Sequence, residues 1–232
     1  MKDTIIISSL VNNDITTELD KIGIQYIKGG KSSNIDNETA YHPDMLFYPL
    51  QNGEILVEKG FVHDLDTFFK IKESKTKLIG KYPFDCRFNC FTAGNKLICG
   101  KGVAEEIKED AQNAALDIVY VNQGYSACST AKLNNDAFIC SDIGIYKTLT
   151  YLGFDAIFVE SEGIALNGYN CGFIGGCVLY TNKDIIAFSG CIENHKRYND
   201  IRSFCANYNI TAYSLSKSRL YDYGGFVTNK PI

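Results

Sequence analysis

Two short stretches carry residues whose types and spacing suit nucleophilic chemistry. In VNQGYSACSTAKLNND, residues 121–136, Cys128 stands among glycine, serine, alanine and threonine, and the apolar run 137–140 follows. In YHPDMLFYPL, residues 41–50, His42 and Asp44 stand two apart. Small neighbours leave room for an electrophile beside a sulfur, and a histidine can carry the protons that such an attack must move. Each residue also has a plainer reading. Cysteine is among the most often buried residue types, and this chain has nine. His42, beside Pro43, fits a loop or capping residue, and Asp44 fits a turn. Cys171 and Cys177 flank GFIGG, which reads as tight strand packing.

Other site types find little support. No C-x-x-C occurs and the three histidines are scattered, so no metal site is expected. GGKSS (29–33) resembles the end of a phosphate loop, but that motif needs a glycine where Gln25 stands. No cofactor is expected. Lys and Arg number 23 against 27 Asp and Glu, a net charge of −4 with no basic tract, which argues against nucleic acid and anionic membranes. An acidic balance mildly favours a cationic small ligand. No run reaches the roughly 18 apolar residues of a membrane helix. MKDTIIISSL is too short in its apolar core for a signal peptide. An odd number of cysteines without an export signal predicts free thiols and a cytoplasmic location.

The elements that must position Cys128 and His42 repeat along the chain. Short β-type runs ending in small-residue turns occur at 4–11, 54–62, 96–103, 137–145 and 184–192. Each is followed by a stretch of helical spacing, at 12–23, 63–74, 104–117, 144–153 and 194–209. A further strand is expected after each helix, at Ile24–Ile27, Lys77–Ile79, Ile118–Val121, Ala156–Val159 and Ile210–Tyr213. The fifth unit wraps: the tail 221–232 supplies a strand that pairs with residues 4–9. The pattern predicts one α/β domain over residues 1–232, a five-fold pseudo-symmetric ββαβ propeller closed by its termini. The first strand of each hairpin would line the central axis, where five loops converge on a concave site. A three-layer α/β sandwich is the competing architecture.

A ring of five such units resembles the pentein fold of the guanidino-group-modifying enzymes: arginine and agmatine deiminases, dimethylarginine hydrolases and amidinotransferases. Their nucleophilic cysteine lies in a G-x-x-x-C stretch before an apolar strand, and Gly124-Tyr125-Ser126-Ala127-Cys128-Ser129 is similar. Their histidine lies in an H-x-D segment with a nearby phenylalanine, and His42-Pro43-Asp44-Met45-Leu46-Phe47 is similar. The cysteine lies two units after the histidine but mid-chain, so the order resembles a circular permutation of the compact hydrolases. The HPDM and GFIGG segments resemble more closely a bacterial pentein group, from which no activity carries over.

The resemblance implies a hydrolase or deiminase acting on a guanidino or amidino compound. Cys128 would attack, His42 would protonate the leaving amine, and Asp44 would hold the planar cation, whose charge would favour the thiolate. The superfamily's second carboxylate is expected in the unit after the cysteine, where this chain has Asn170. Asp222, at the matching place in the fifth unit, is the first substitute, and Glu162 the second. The alternative is a non-catalytic pentein that binds a small cationic ligand or a protein. Ribosome-binding anti-association factors share the fold without catalysis, but they call for a basic surface.

Overall fold

The computed structural model describes residues 4–229. Five three-stranded sheets share one pattern, an antiparallel hairpin followed by a parallel third strand. The first sheet joins β1 (Thr4–Ile7), β2 (Gln25–Lys28) and β15 (Phe226–Val227), with α1 (Asn13–Lys21) between β1 and β2. After the short α2 (Pro43–Leu46), β3 (Phe47–Pro49), β4 (Ile55–Val57) and β5 (Ile71–Glu73) form the second. The third holds β6 (Phe91–Ala93), β7 (Lys96–Gly100) and β8 (Asp117–Val121), with α3 (Glu105–Asn113). The fourth holds β9 (Thr130–Lys132), β10 (Ala137–Cys140) and β11 (Asp155–Phe158), with α4 (Ile143–Tyr151). The fifth holds β12 (Val178–Thr181), β13 (Ile185–Phe188) and β14 (Thr211–Ser214), with α5 (Tyr198–Asn207). This is the five-fold ββαβ pentein arrangement, not a layered sandwich.

Local chemistry accounts for the elements. Asn12 Oδ1 accepts the Ile15 N–H at 3.1 Å to open α1, and Asp142 Oδ1 accepts the Ile145 N–H at 2.9 Å to open α4. Both helices run out at glycines of positive φ, Gly23 at 76° and Gly153 at 87°. The middle strand of each sheet lies between two others, and Ile5–Ile7, Ile55–Val57 and Ala137–Cys140 are wholly buried apolar runs. The apolar clusters bridge neighbouring units. Ile5, Ile7 and Leu19 pack with Leu179, Ala187 and Leu215. Ile6 and Val227 pack with Met45, Phe47 and Ile55.

The second unit departs from the sequence pattern. Residues 63–74 hold a single 3-10 turn, Leu65–Thr67, and then β5, in place of a helix. Leu65 and Phe69, four apart, are buried, but Phe68 is exposed and Asp64 makes no capping bond. Two apolar residues support one turn, and the next residues pair with β4 as its parallel edge. The third strand expected at 77–79 is therefore displaced to Ile71–Glu73.

Both ends of the chain meet in the first sheet. β15 runs antiparallel to β1 with Ile6 opposite Val227 and Ile7 opposite Phe226, and it packs against β3 and β12. Pairing is confined to these residues, and 1–3 and 230–232 lie outside the described ones. Val227 is buried, so Val227→Asp is expected to cost about 3 kcal/mol or more by burying an unpaired charge. Differential scanning calorimetry should then record a melting temperature lower by roughly 6–12 °C, whereas Lys72→Asp on the exposed edge of β5 should shift it little.

Candidate functional site

Each inner strand starts at the same end of the axis, and the residue positions just before those starts converge. Asp44 precedes β3, Asn89 precedes β6, Cys128 precedes β9, Gly175 and Gly176 precede β12, and Asp222 precedes β15. Backbone bonds tie these segments together. Gly176 N–H donates to the Cys128 carbonyl at 3.1 Å, Tyr223 N–H to the Gly176 carbonyl at 2.9 Å, and Asp44 N–H to the Gly224 carbonyl at 3.2 Å.

Cys128, His42, Asp44 and Asp222 meet there, all buried. Cys128 Sγ donates to Asp44 Oδ2 at 2.7 Å. His42 Nδ1 lies 3.8 Å from Asp222 Oδ1. Ligand atoms of His42, Cys128 and Asp222 lie within 4.8 Å of one another, a spacing at which the three donors could also share a soft metal ion. Asp222 is fixed by the N–H groups of Phe173, 2.8 Å from Oδ2, and Gly224, 3.0 Å from Oδ1.

Asn89 was not singled out by the sequence reading. Its Oδ1 accepts the N–H groups of Ala127 at 2.8 Å and Cys128 at 3.1 Å, and its Nδ2 donates to Sγ at 3.1 Å. One amide thus fixes both the backbone and the sulfur of Cys128. The available signal was positional: DCRFNCF leads into one hairpin as GYSACST leads into the next.

The electrostatics oppose charge. Burial lowers the His42 pKa, and Asp222 only partly restores it. Burial also raises the Asp44 carboxyl well above the usual carboxylate range; Asp222 adds to this, while the bonds from Cys128 and Asn89 oppose it. Burial, then the negative charges of Asp44 and Asp222, push the Cys128 thiol far up against the Asn89 bond. Among the described residues, no lysine or arginine contributes to the shift at any of these three.

Two of the candidate site residues fall elsewhere. Asn170 is exposed and does not reach the axis. Glu162 is exposed and binds Lys196, Oε2 to Nζ 2.6 Å. The segment before β12 instead brings glycines to the axis, because Asp222 takes up the space. A Cβ on Gly176 would lie 1.8 Å from Asp222 Oδ1, and one on Gly172 2.5 Å from Asp222 Cβ. Gly224, at φ 74°, lets the chain pass His42, whose Cβ would sit 2.2 Å from an added Cβ. Of the cysteines flanking GFIGG, Cys171 is exposed and Cys177 is buried with its thiol on the Phe173 carbonyl, 3.3 Å.

A cavity of about 360 Å³ runs among the inner strands from their hairpin turns to Asp44, Ala127 and Gly175. Asp44 is the member of the cluster that faces it. Among the described residues, no helix is long and apolar enough to cross a membrane.

Thiolate character and access govern alkylation. In the unliganded protein at neutral pH, exposed Cys171 should therefore react with iodoacetamide ahead of Cys128, contrary to what an activated nucleophile would show. Peptide mapping of a short time course measures this order. The buried carboxyl gives a second prediction. A folded-state pKa raised above the unfolded value contributes stability at low pH that is lost as pH rises. Asp44→Asn should thus melt higher than wild type at pH 8, and the difference should shrink towards pH 5.

Solved structures share this fold at low identity. An amidinotransferase of the saxitoxin biosynthetic pathway from Microseira wollei aligns at TM-score 0.61 and 9% identity, covering 99% of this chain and 94% of that one. A dimethylarginine dimethylaminohydrolase from Pseudomonas aeruginosa, in complex with citrulline, aligns at 0.53 and 10%, covering 93% of each chain. An agmatine deiminase from C. jejuni aligns at 0.51 and 11%, covering 93% and 76%. No curated protein matches the sequence. A family model does, over residues 6–227, nearly the whole ring with both halves of its wrapped first sheet: the chain belongs to DUF6873, a family of unknown function, and its fold is the pentein fold.

Proposed function

We propose that the protein hydrolyses a guanidino or amidino compound, with Cys128 as nucleophile and His42 as the proton carrier. The observation that carries this reading is a buried thiol held by Asp44 and close to Asp222, with no lysine or arginine among the described residues acting on it. Two acids around a sulfur are costly unless a cation joins them. A planar guanidinium fits, because it offers N–H pairs to both carboxylates and presents its carbon to the sulfur.

Binding of that cation reverses the electrostatics of the resting site. Its positive charge offsets Asp44 and Asp222 and lowers the Cys128 pKa. The thiol proton passes to neutral His42, and the thiolate forms a C–S bond to the guanidinium carbon. The tetrahedral adduct collapses as His42 returns the proton to the departing amine, leaving a thiouronium. His42 then takes a proton from water, the hydroxide adds to the same carbon, the C–S bond breaks to give a urea-type product and the thiol, and the proton left on His42 passes to the released amine. Burial favours the neutral imidazole that both steps begin with. Asn89 keeps the sulfur aimed throughout. The nine free cysteines fit a reducing, cytoplasmic setting.

A second reading, a pentein that binds a cation without chemistry, is favoured by the buried, un-ionised thiol, 2% exposed. A panel of guanidino and amidino compounds separates the two. Turnover of a panel member should fall about 10⁴-fold or more in Cys128→Ser, and calorimetry should show Asp222→Asn losing most of its affinity. Tight binding with no turnover in wild type would leave the binding reading, and no binding by any member would end both.

A further inference from the structure

The cavity has a second polar end, far along the inner strands from Cys128. Lys132 closes β9, on the face opposite the core residue Ala131. Its ammonium donates to Thr92 Oγ1 of β6 at 3.3 Å, one of three donors it carries. Among the described residues, no carboxylate lies within ion-pair distance of it. Lys132 is the cation among the described residues that line the cavity. Thr181, at the end of β12, lines the same space with its hydroxyl buried and without a partner, the residue being 5% exposed. Asn135 and Gln51, from two hairpin turns, bring amides to the wall.

A largely desolvated ammonium with unused donors, on the wall of the same cavity as an unsatisfied hydroxyl, is unfavourable unless something joins them. Burial lowers the Lys132 pKa to about 8, with Asp136 opposing, which registers the strain of holding that charge unpaired. The other titratable residues on the wall do not answer it. Asp44 lies at the far end and accepts from Cys128, while burial raises Tyr48 and Cys90 and keeps them neutral.

We infer that the hairpin end of the cavity is a binding site for a small oxyanion, held by the Lys132 ammonium and the Thr181 hydroxyl with Thr92 as the positioning residue. The occupant is a tetrahedral phosphate- or sulfate-like group or a carboxylate. A volume of about 360 Å³ accommodates either. The site stands on this cavity and does not depend on the reaction at Cys128.

Titration calorimetry in low-salt buffer tests it, with sodium sulfate in one arm and sodium acetate in the other to distinguish the two sources. At pH 7 at least one should bind with one site per chain. Lys132→Met should weaken that binding at least tenfold, Lys132→Arg should retain it, and Thr181→Val should weaken it severalfold. Cys128→Ser should leave it unchanged, which separates this site from the proposed reaction. Sulfate keeps its charge across the range, so its affinity should fall about tenfold from pH 7 to pH 9 as an ammonium of pKa about 8 loses its proton. Lys132→Met should melt no lower than wild type, since it removes a desolvated charge. If neither anion binds at millimolar concentration, or if Lys132→Met binds as tightly as wild type, the site does not exist.

Discussion

The arrangement depends on one constraint: two carboxylates and a thiol are held out of water with no lysine or arginine among the described residues acting on the thiol. Asp44 and Asp222 come from opposite ends of the chain, and both raise the Cys128 pKa. Such a cluster destabilises the fold unless the backbone leaves it no room to rearrange. The surrounding structure meets that demand with N–H donors on Asp222, one amide across the Cys128 loop, and the thiol itself on Asp44. A ligand of the opposite charge would offset both carboxylates at once.

Ring closure provides the rigidity. Five units each contribute the segment before an inner strand, so the site is built where strands begin, on rigid elements. Neighbouring units share apolar clusters, so moving one segment disturbs two sheets. The glycines before β12 show how little slack remains. Gly176 sits against the Asp222 carboxylate, and any side chain there would displace it. Pairing of β15 with β1 brings Asp222 into register, which places a catalytic candidate under the control of the chain's closure.

The axis carries two opposite electrostatic characters. At the strand starts, acids wait around a sulfur. At the hairpin turns, a lysine and the buried, unpartnered Thr181 hydroxyl line the wall. Both follow from the same geometry, since the inner strands carry residues from one end of the cavity to the other.

Much of this was legible in the residues themselves. The period of short strands and amphipathic stretches fixed five units because burial imposes period 2 on strands and 3.6 on helices wherever a face is apolar. Cys128 among small residues, and His42 two before Asp44, marked a candidate site, and the fold brings the three together with Asp222. The second unit misled, since Leu65 and Phe69 imitate a helical face that only a turn supports, and strand pairing with β4 decided the rest. The second acid was ranked from likeness between units four and five, but sequence alone left Asn170, Asp222 and Glu162 all open. Their fates were decided by packing. Ala165 and Phe173 anchor Asp222 beside His42, glycines vacate the space it fills, and Asn170 is left outside. Asn89 and Lys132 are ordinary polar residues in a linear reading. They acquire meaning only when distant strands converge, because a hydrogen bond or an unpaired charge is a property of what the fold places opposite a residue, which local sequence does not contain.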